Sequence, residues 1–399
     1  SPKYHVVVAN PPYMGGKGMN SDIQSFVKSA YKDSKADLFA CFIERGINLV
    51  FKGGFNALVT MESWMFLSSF EKLRTKLLGN SNLQSMVHMP YLGKGRTSMG
   101  INFGTTAFVS EKAMRSASSG QFCCVRYYET DEIGVPLEFP PKNERLSIAS
   151  SQDFMKLPTS PIAYWSTETT RSAFSTGSKI EDIAPARAGL QTGENEKFVR
   201  LWFEVDHRCS ALNYLSKADA KVSDRKWFPY NSGGTYRRWF GNNEKVVDWG
   251  EDGKNIKDDK LGKLEIGLCL PSNSKPKNEM FYFLPSVTWT MLTSARFGVR
   301  ICSQGFVFDI AGSSVFPDQK TLNAVAAFLN SKLAELFLNY LNPTMNAQSG
   351  DIGNLPWLDK DIQRRLAEID VIISRVRYLS QSDWDAYETS WDFTTLPLL

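Results

Sequence analysis

The sequence lacks most of what metal-bound and disulfide-stapled proteins rely on. Its 399 residues include 3 histidines and 6 cysteines, and no two cysteines stand in a CxxC spacing. That argues against the usual structural zinc patterns, and no metal site is expected. No run of about 18 apolar residues occurs, so no membrane-spanning helix is expected. The opening Ser1-Pro2-Lys3-Tyr4 has no signal-peptide layout, and a cytoplasmic protein with no membrane partner is the reading. Bulk charge of one sign is missing too: 46 Lys and Arg stand against 42 Asp and Glu. Residues 1–150 hold 17 basic and 12 acidic side chains, and residues 151–399 hold 29 and 30. Neither half is a polybasic nucleic-acid coat, so any contact with DNA needs local patches. What is present is ordinary for a globular chain: 42% hydrophobic and 22% charged residues, in a length that predicts two or three domains.

The first half reads as strand, helix, strand, helix, strand. His5-Val6-Val7-Val8-Ala9 is a β-branched run that stops at Asn10-Pro11-Pro12, as a buried parallel strand would. Helical spacing runs from Ser21 to Phe51, with Gly53-Gly54 as a stop. Phe55–Thr60 predicts a strand, Ser69–Leu78 a helix, Leu83–His88 a strand, and Asn102–Val109 another. This is the pattern of a doubly wound α/β sheet lacking its beginning. Cys123-Cys124 lies in an alternating run and reads as buried strand thiols; His88 and His207 read as structural or surface histidines. Prolines at 136, 140, 141, 158 and 161 suggest a boundary near residue 155. The expected parts are 1–154, 155–317 and a helical 318–399, with helices near 319–342 and 359–379 that pack on the middle part or bind a partner.

Asn10-Pro11-Pro12-Tyr13 stands at the carboxyl end of a predicted parallel strand, where open α/β sheets bind ligands. In that setting it resembles motif IV of the S-adenosylmethionine-dependent amino-methyltransferases. The resemblance implies a chemistry. An exocyclic aryl amine is a poor nucleophile because its lone pair is delocalised into the ring. Two acceptors on its N–H bonds, the Asn10 side-chain oxygen and the Pro11 carbonyl, would localise it. Pro11 and Pro12 would fix where that carbonyl points. Tyr13 would stack a base flipped out of the duplex. Asn-Pro-Pro-Tyr is typical of the adenine N6 enzymes, although a protein-glutamine methyltransferase carries the same four residues.

Three stretches extend the resemblance over nearly the whole chain, to the PglX-type adenine methyltransferases of BREX phage-defence systems and related combined type II restriction–modification enzymes. They are residues 10–20, residues 226–242 from Lys226-Trp227-Phe228-Pro229-Tyr230, and residues 342–356 from Asn342-Pro343-Thr344-Met345-Asn346. The resemblance implies a partial Rossmann-like methyltransferase sheet, its C-terminal half, followed by a mixed α+β target-recognition domain with C-terminal helices. Asp37-Leu38-Phe39 would be motif V, so Asn10, Asp37 and Phe39 are the expected cofactor contacts. Phe103 is either a second aromatic face around the adenine or a core residue. Gly15-Gly16-Lys17-Gly18 and Gly93-Lys94-Gly95 do not match a cofactor or phosphate loop; they are expected over the pocket or near phosphates, with Lys17 as a substrate contact.

In this order of motifs the cofactor loop precedes Asn10. The expectation is therefore a C-terminal fragment, inactive alone, whose S-adenosylmethionine site lies largely outside it. Double-stranded DNA is the expected partner, with other defence-system proteins possible. Residues 225–245 mix five basic side chains with six aromatics. They read either as a DNA-contacting loop, through Lys226, Tyr230, Arg237 and Arg238, or as a hairpin with a small aromatic core. Arg187, Arg296 and Arg300 are further candidates for DNA contact. The alternatives are a non-catalytic DNA-binding or specificity module, and a methyltransferase acting on protein or RNA.

Overall fold

The structure, a computed structural model, describes residues 2–90, 103–113, 118–132, 135–141, 144–213, 215–292, 296–344 and 346–396. It divides into two compact units, Ser1–Thr176 with Asn339–Pro343, and Gly177–Leu338 with Thr344–Leu399. Residues 155–176 lie in the first unit, and most of the helical C-terminus lies in the second.

The first unit runs β1 (Tyr4–Ala9), α1 (Ser21–Ala30), α2 (Leu38–Leu49), β2 (Val50–Met61), α3 (Glu71–Asn80), β3 (Asn82–Met89), β4 (Thr105–Glu111), β5 (Ser119–Cys124), β6 (Ser147–Ser150), α4 (Ser151–Met155) and α5 (Glu168–Thr176). Its six strands form one sheet in the order β1-β2-β4-β3-β5-β6. The α/β class is the expected one, but the sheet is mixed. β1 and β2 run parallel, as do β3 and β5, whereas β4 lies antiparallel between β2 and β3. Helix α2 ends at Leu49 rather than Phe51, because Val50 joins the sheet opposite Tyr4.

The core beneath this sheet is built from apolar faces that recur at helical and strand periods. Phe39, Ile43 and Ile47 of α2 meet Leu58 of β2, Phe108 of β4 and Met86 of β3. Gly46 lets α2 approach β2 closely, since a Cβ there would stand 2.2 Å from the Asn56 amide oxygen. Several polar groups in this interior are paired. Trp64 Nε1 donates to Thr60 and Thr106 hydroxyls at 3.0 and 3.3 Å. Arg74, with no exposed surface, donates to the carbonyls of Trp64, Leu67 and Thr159. Cys123 and Cys124 are buried, and burial pushes both thiols up.

The second unit opens with β7 (Ser178–Lys179), α6 (Ile180–Ile183), β8 (Ala186–Arg187), α7 (Asn195–Phe198), β9 (Val199–Leu201), α8 (Lys217–Val222), β10 (Trp227–Asn231), β11 (Lys245–Asp248) and α9 (Gly250–Glu265). It continues with β12 (Ser286–Trp289), β13 (Val299–Cys302), β14 (Val307–Phe308), β15 (Ser314–Val315), α10 (Leu322–Leu329), α11 (Lys332–Leu341), α12 (Ser349–Gly353), β16 (Pro356–Trp357), α13 (Asp359–Gln363) and α14 (Leu366–Asp385). Its sheets are β14-β10-β11-β9, β13-β12-β15-β8 and the pair β16-β7. The long helix expected over 319–342 is broken after Leu329. There the Asn330 side chain turns back to β13, accepting from Val299 N at 2.9 Å and donating to Val299 O at 3.0 Å. The helix expected over 359–379 is also two, α13 and α14, and α14 runs on to Asp385.

Candidate active site

Strands β1 and β2 are parallel with Ala9 opposite Leu58, so their carboxyl ends open at one edge of the sheet. Asn10–Tyr13 leaves that edge directly. The Pro11 ring is buried, Asn10 and Pro12 are exposed, and Tyr13 is half-buried. Burial raises the Tyr13 phenol above its ordinary pKa. Its hydroxyl donates to Asn10 Oδ1 at 3.3 Å, a long bond that a better donor can replace.

Asp37 sets the path of the loop that follows. It caps α2 by accepting from Phe39 N at 3.3 Å and braces the loop by accepting from Met14 N at 2.9 Å. Leu38 N returns a bond to Met14 O at 3.1 Å. Burial raises the Asp37 carboxyl, and the backbone N–H groups of Met14, Phe39 and Leu38 pull against that rise. Its role here is to clamp Tyr13-Met14 to the helix N-terminus.

Two rings meet Tyr13 edge-on. Phe103 stands 5.4 Å away at 85°, and Phe39 stands 6.2 Å away at 88°. Phe103 is half-buried and sits just before β4, on the same edge as Asn10. Phe39 is fully buried in the core, so as a cofactor contact it is corrected: its ring supports Tyr13 from beneath. Lys17 is exposed in the turn after the motif. Gly93-Lys94-Gly95, Asn102 and Met345 lie outside the described residues.

In the second unit the basic and aromatic stretch is a strand pair with a long connection. Tyr230, expected to touch DNA, is corrected by its burial at 1% exposure; it belongs to the core with Phe228 and Trp249. Lys226 keeps half its side chain exposed beside Asp248 at 3.6 Å and over the Trp227 ring. Arg237 pairs with Asp383 of α14 at 3.1 Å and covers Trp384. Arg238 lies over the exposed Tyr236 ring. Arg300 is buried, its guanidinium lowered to about 10 by loss of water, and so is no surface contact. Arg187 pairs with Glu181, and Arg296 is exposed.

The residue pattern alone missed a chain of polar groups behind the site. His88 Nε2 lies 2.7 Å from Glu62 Oε2, and His88 Nδ1 lies 3.0 Å from Tyr164 Oη. A histidine ending one strand and a glutamate ending the strand next to its neighbour was the available signal. Among the described residues no cluster of His, Cys, Asp or Glu is placed to hold a metal, and no helix is long and apolar enough to cross a membrane.

Residues 1–93 match the family model described as Eco57I restriction-modification methylase. The chain resembles two curated adenine-specific methyltransferases. It is 35% identical over its whole length to BrxX of Escherichia coli O9:H4 (strain HS), and 34% identical to PglX of Lacticaseibacillus casei (strain Zhang). It spans 31% and 33% of those two proteins. Among solved structures, the Type IIL restriction-modification enzyme MmeI in complex with DNA shares the fold, with a TM-score of 0.57 over 97% of this chain, 50% of that chain, and 10% identity.

Proposed function

We propose that this chain is the base-binding and DNA-recognition part of an adenine-specific DNA methyltransferase, transferring a methyl group from S-adenosylmethionine to N6 of a flipped adenine. The observation that carries the proposal is the exposed Asn10 amide at the carboxyl end of β1, beside the edge-on pair of Tyr13 and Phe103. The resemblance to restriction–modification and adenine-specific methyltransferases supports a role in phage defence or restriction–modification, in the cytoplasm where the DNA is, with other defence proteins as further partners.

The residues derive most of the mechanism. As the adenine enters, its amine replaces the Tyr13 hydroxyl at Asn10 Oδ1, and the Pro11 carbonyl takes the second N–H. Both acceptors localise the nitrogen lone pair, and their placement is set before the base arrives. Tyr13 offers one ring face to the base, with Phe103 closing the side. S-adenosylmethionine, when bound, supplies an electrophilic sulfonium methyl group. Asn10 fits one edge of a site for it, being exposed at the strand end; Phe39, fully buried, does not. We place the larger part of that site outside these residues.

The Tyr13→Phe variant separates ring from hydroxyl. It gives up one long hydrogen bond, so methyl transfer by the whole protein should stay within about threefold of wild type. Tyr13→Ala loses the stacking face and should fall well below that. Equal activity of the two variants would remove Tyr13 from the site.

The division of labour is tested with the chain itself. It should bind duplex DNA in fluorescence anisotropy, with affinity falling as salt rises, and transfer no methyl group. Lys226→Ala should weaken binding to all sequences alike and reduce the log–log salt slope by about one. Salt-independent binding, or preference for RNA or protein, would overturn the DNA reading.

A further inference from the structure

The Glu62 carboxylate is used twice at the edge of the sheet that carries the candidate site. One oxygen takes the buried His88 ring at 2.7 Å. The group also presses on Gly104: a Cβ on that residue would lie 2.1 Å from the carboxylate carbon. The Glu62 backbone N–H donates to the Gly104 carbonyl at 2.8 Å. Gly104 follows Phe103, whose ring meets Tyr13. Both the backbone and the side chain of Glu62 therefore hold the segment that delivers Phe103.

What holds Glu62 is rigid. His88 is 3% exposed and stacks on Trp165 at 6.2 Å and 18°. Tyr164 is buried and packs face to face on Phe122 at 5.3 Å and 13°. With His88 Nε2–H donating to Glu62, His88 Nδ1 is left to accept from the Tyr164 O–H. Both donors point towards the carboxylate, so each bond polarises the next. Such a chain gives Glu62 one position.

We infer that Glu62 is a positioning residue of the base pocket, which, anchored through His88 and Tyr164, sets the Phe103 ring at right angles to Tyr13. This rests on the proposed adenine reading. Glu62 acts on the reaction only through Phe103, and Gly104 is the point of contact.

Two readouts test it. In the chain itself, hydrogen exchange of the amide at position 62 should quicken at least tenfold in Glu62→Ala relative to wild type, while Glu62→Gln, which can still accept from His88, should stay within threefold. Unchanged exchange in Glu62→Ala would overturn the positioning role. In the whole protein, Glu62→Ala should lower kcat for methyl transfer about tenfold with KM for DNA within twofold, and Glu62→Gln should restore most of it. Phe103→Ala should lower kcat similarly. In the Phe103→Ala background, Glu62→Ala should change kcat by less than twofold, because its effect runs through the missing ring. Losses that multiply would overturn the inference. Should Glu62→Ala not fold, the same cycle is run with His88→Phe, which breaks the anchor of Glu62. Absence of methyl transfer by wild type on any DNA would bring down the adenine reading by itself, whatever the exchange result.

Discussion

Replacing Asn10 by Ala should abolish most methyl transfer by the whole protein while leaving DNA binding nearly intact. The side-chain oxygen is the acceptor that localises the amine lone pair, and removing one such preorganised group typically costs about 10²–10³ in kcat. The local backbone should survive, because Pro11 and Pro12 restrict φ and Asp37 clamps the loop at Met14. Asn10 is exposed and its side chain supports no core contact, so the melting temperature should hardly move. Steady-state incorporation of labelled methyl groups gives the number. A loss below about fivefold would remove Asn10 from the transferring site and favour a DNA-binding module that keeps the motif as scaffold.

Arg74→Met should be the most destabilising single change in the first unit. The guanidinium has no exposed surface and bridges the turn after β2, through Trp64 and Leu67, to the carbonyl of Thr159. Methionine fills much of the volume but donates nothing. Three carbonyls lose their donor in a site closed to water, at a cost of roughly 3–5 kcal/mol, much of a typical domain's stability. Urea unfolding followed by tryptophan fluorescence reads the loss, since Trp64 sits beside the bond. A midpoint equal to wild type would mean that water replaces the guanidinium there. The same substitution should lower site function indirectly, because Glu62 opens the turn that Arg74 holds.

The strand character of β1, its proline stop, and helices α2 and α3 were legible because their signals are local, but the expected burial of β1 is corrected: it is an edge strand of the described sheet with Val6 and Val8 exposed. β-branched residues, apolar spacing and Gly or Pro ends lie within a few positions of each other. The Asn10–Tyr13 motif stood out as a candidate for the same reason: one short stretch carries all four residues. Three other features depend on distant partners and were not. The antiparallel place of β4 is fixed by pairing with two strands remote in sequence. The break at Asn330 depends on a bond to Val299. Phe39 and Tyr230 read as ligand contacts because they flank motifs, yet which way a ring faces is settled by packing. The Glu62–His88–Tyr164 chain spans residues over a hundred positions apart, and no spacing rule connects them.

The central strand of the first sheet arrives out of order. β2 and β3 leave a gap that only β4 fills, after the chain has passed Met89 and returned at Thr105. Until then, the β1–β2 pair and β3 cannot share a core, and the loop-closure cost of bringing β4 back must come before its reward. Phe103 rides at the start of that strand, so the second aromatic wall beside Tyr13 comes into being in the same event that locks the sheet. A nascent chain that stops before Glu111 would hold Asn10–Tyr13 but no pocket. Competence to receive a base is thus tied to completion of the fold, and a half-made sheet presents no half-made site.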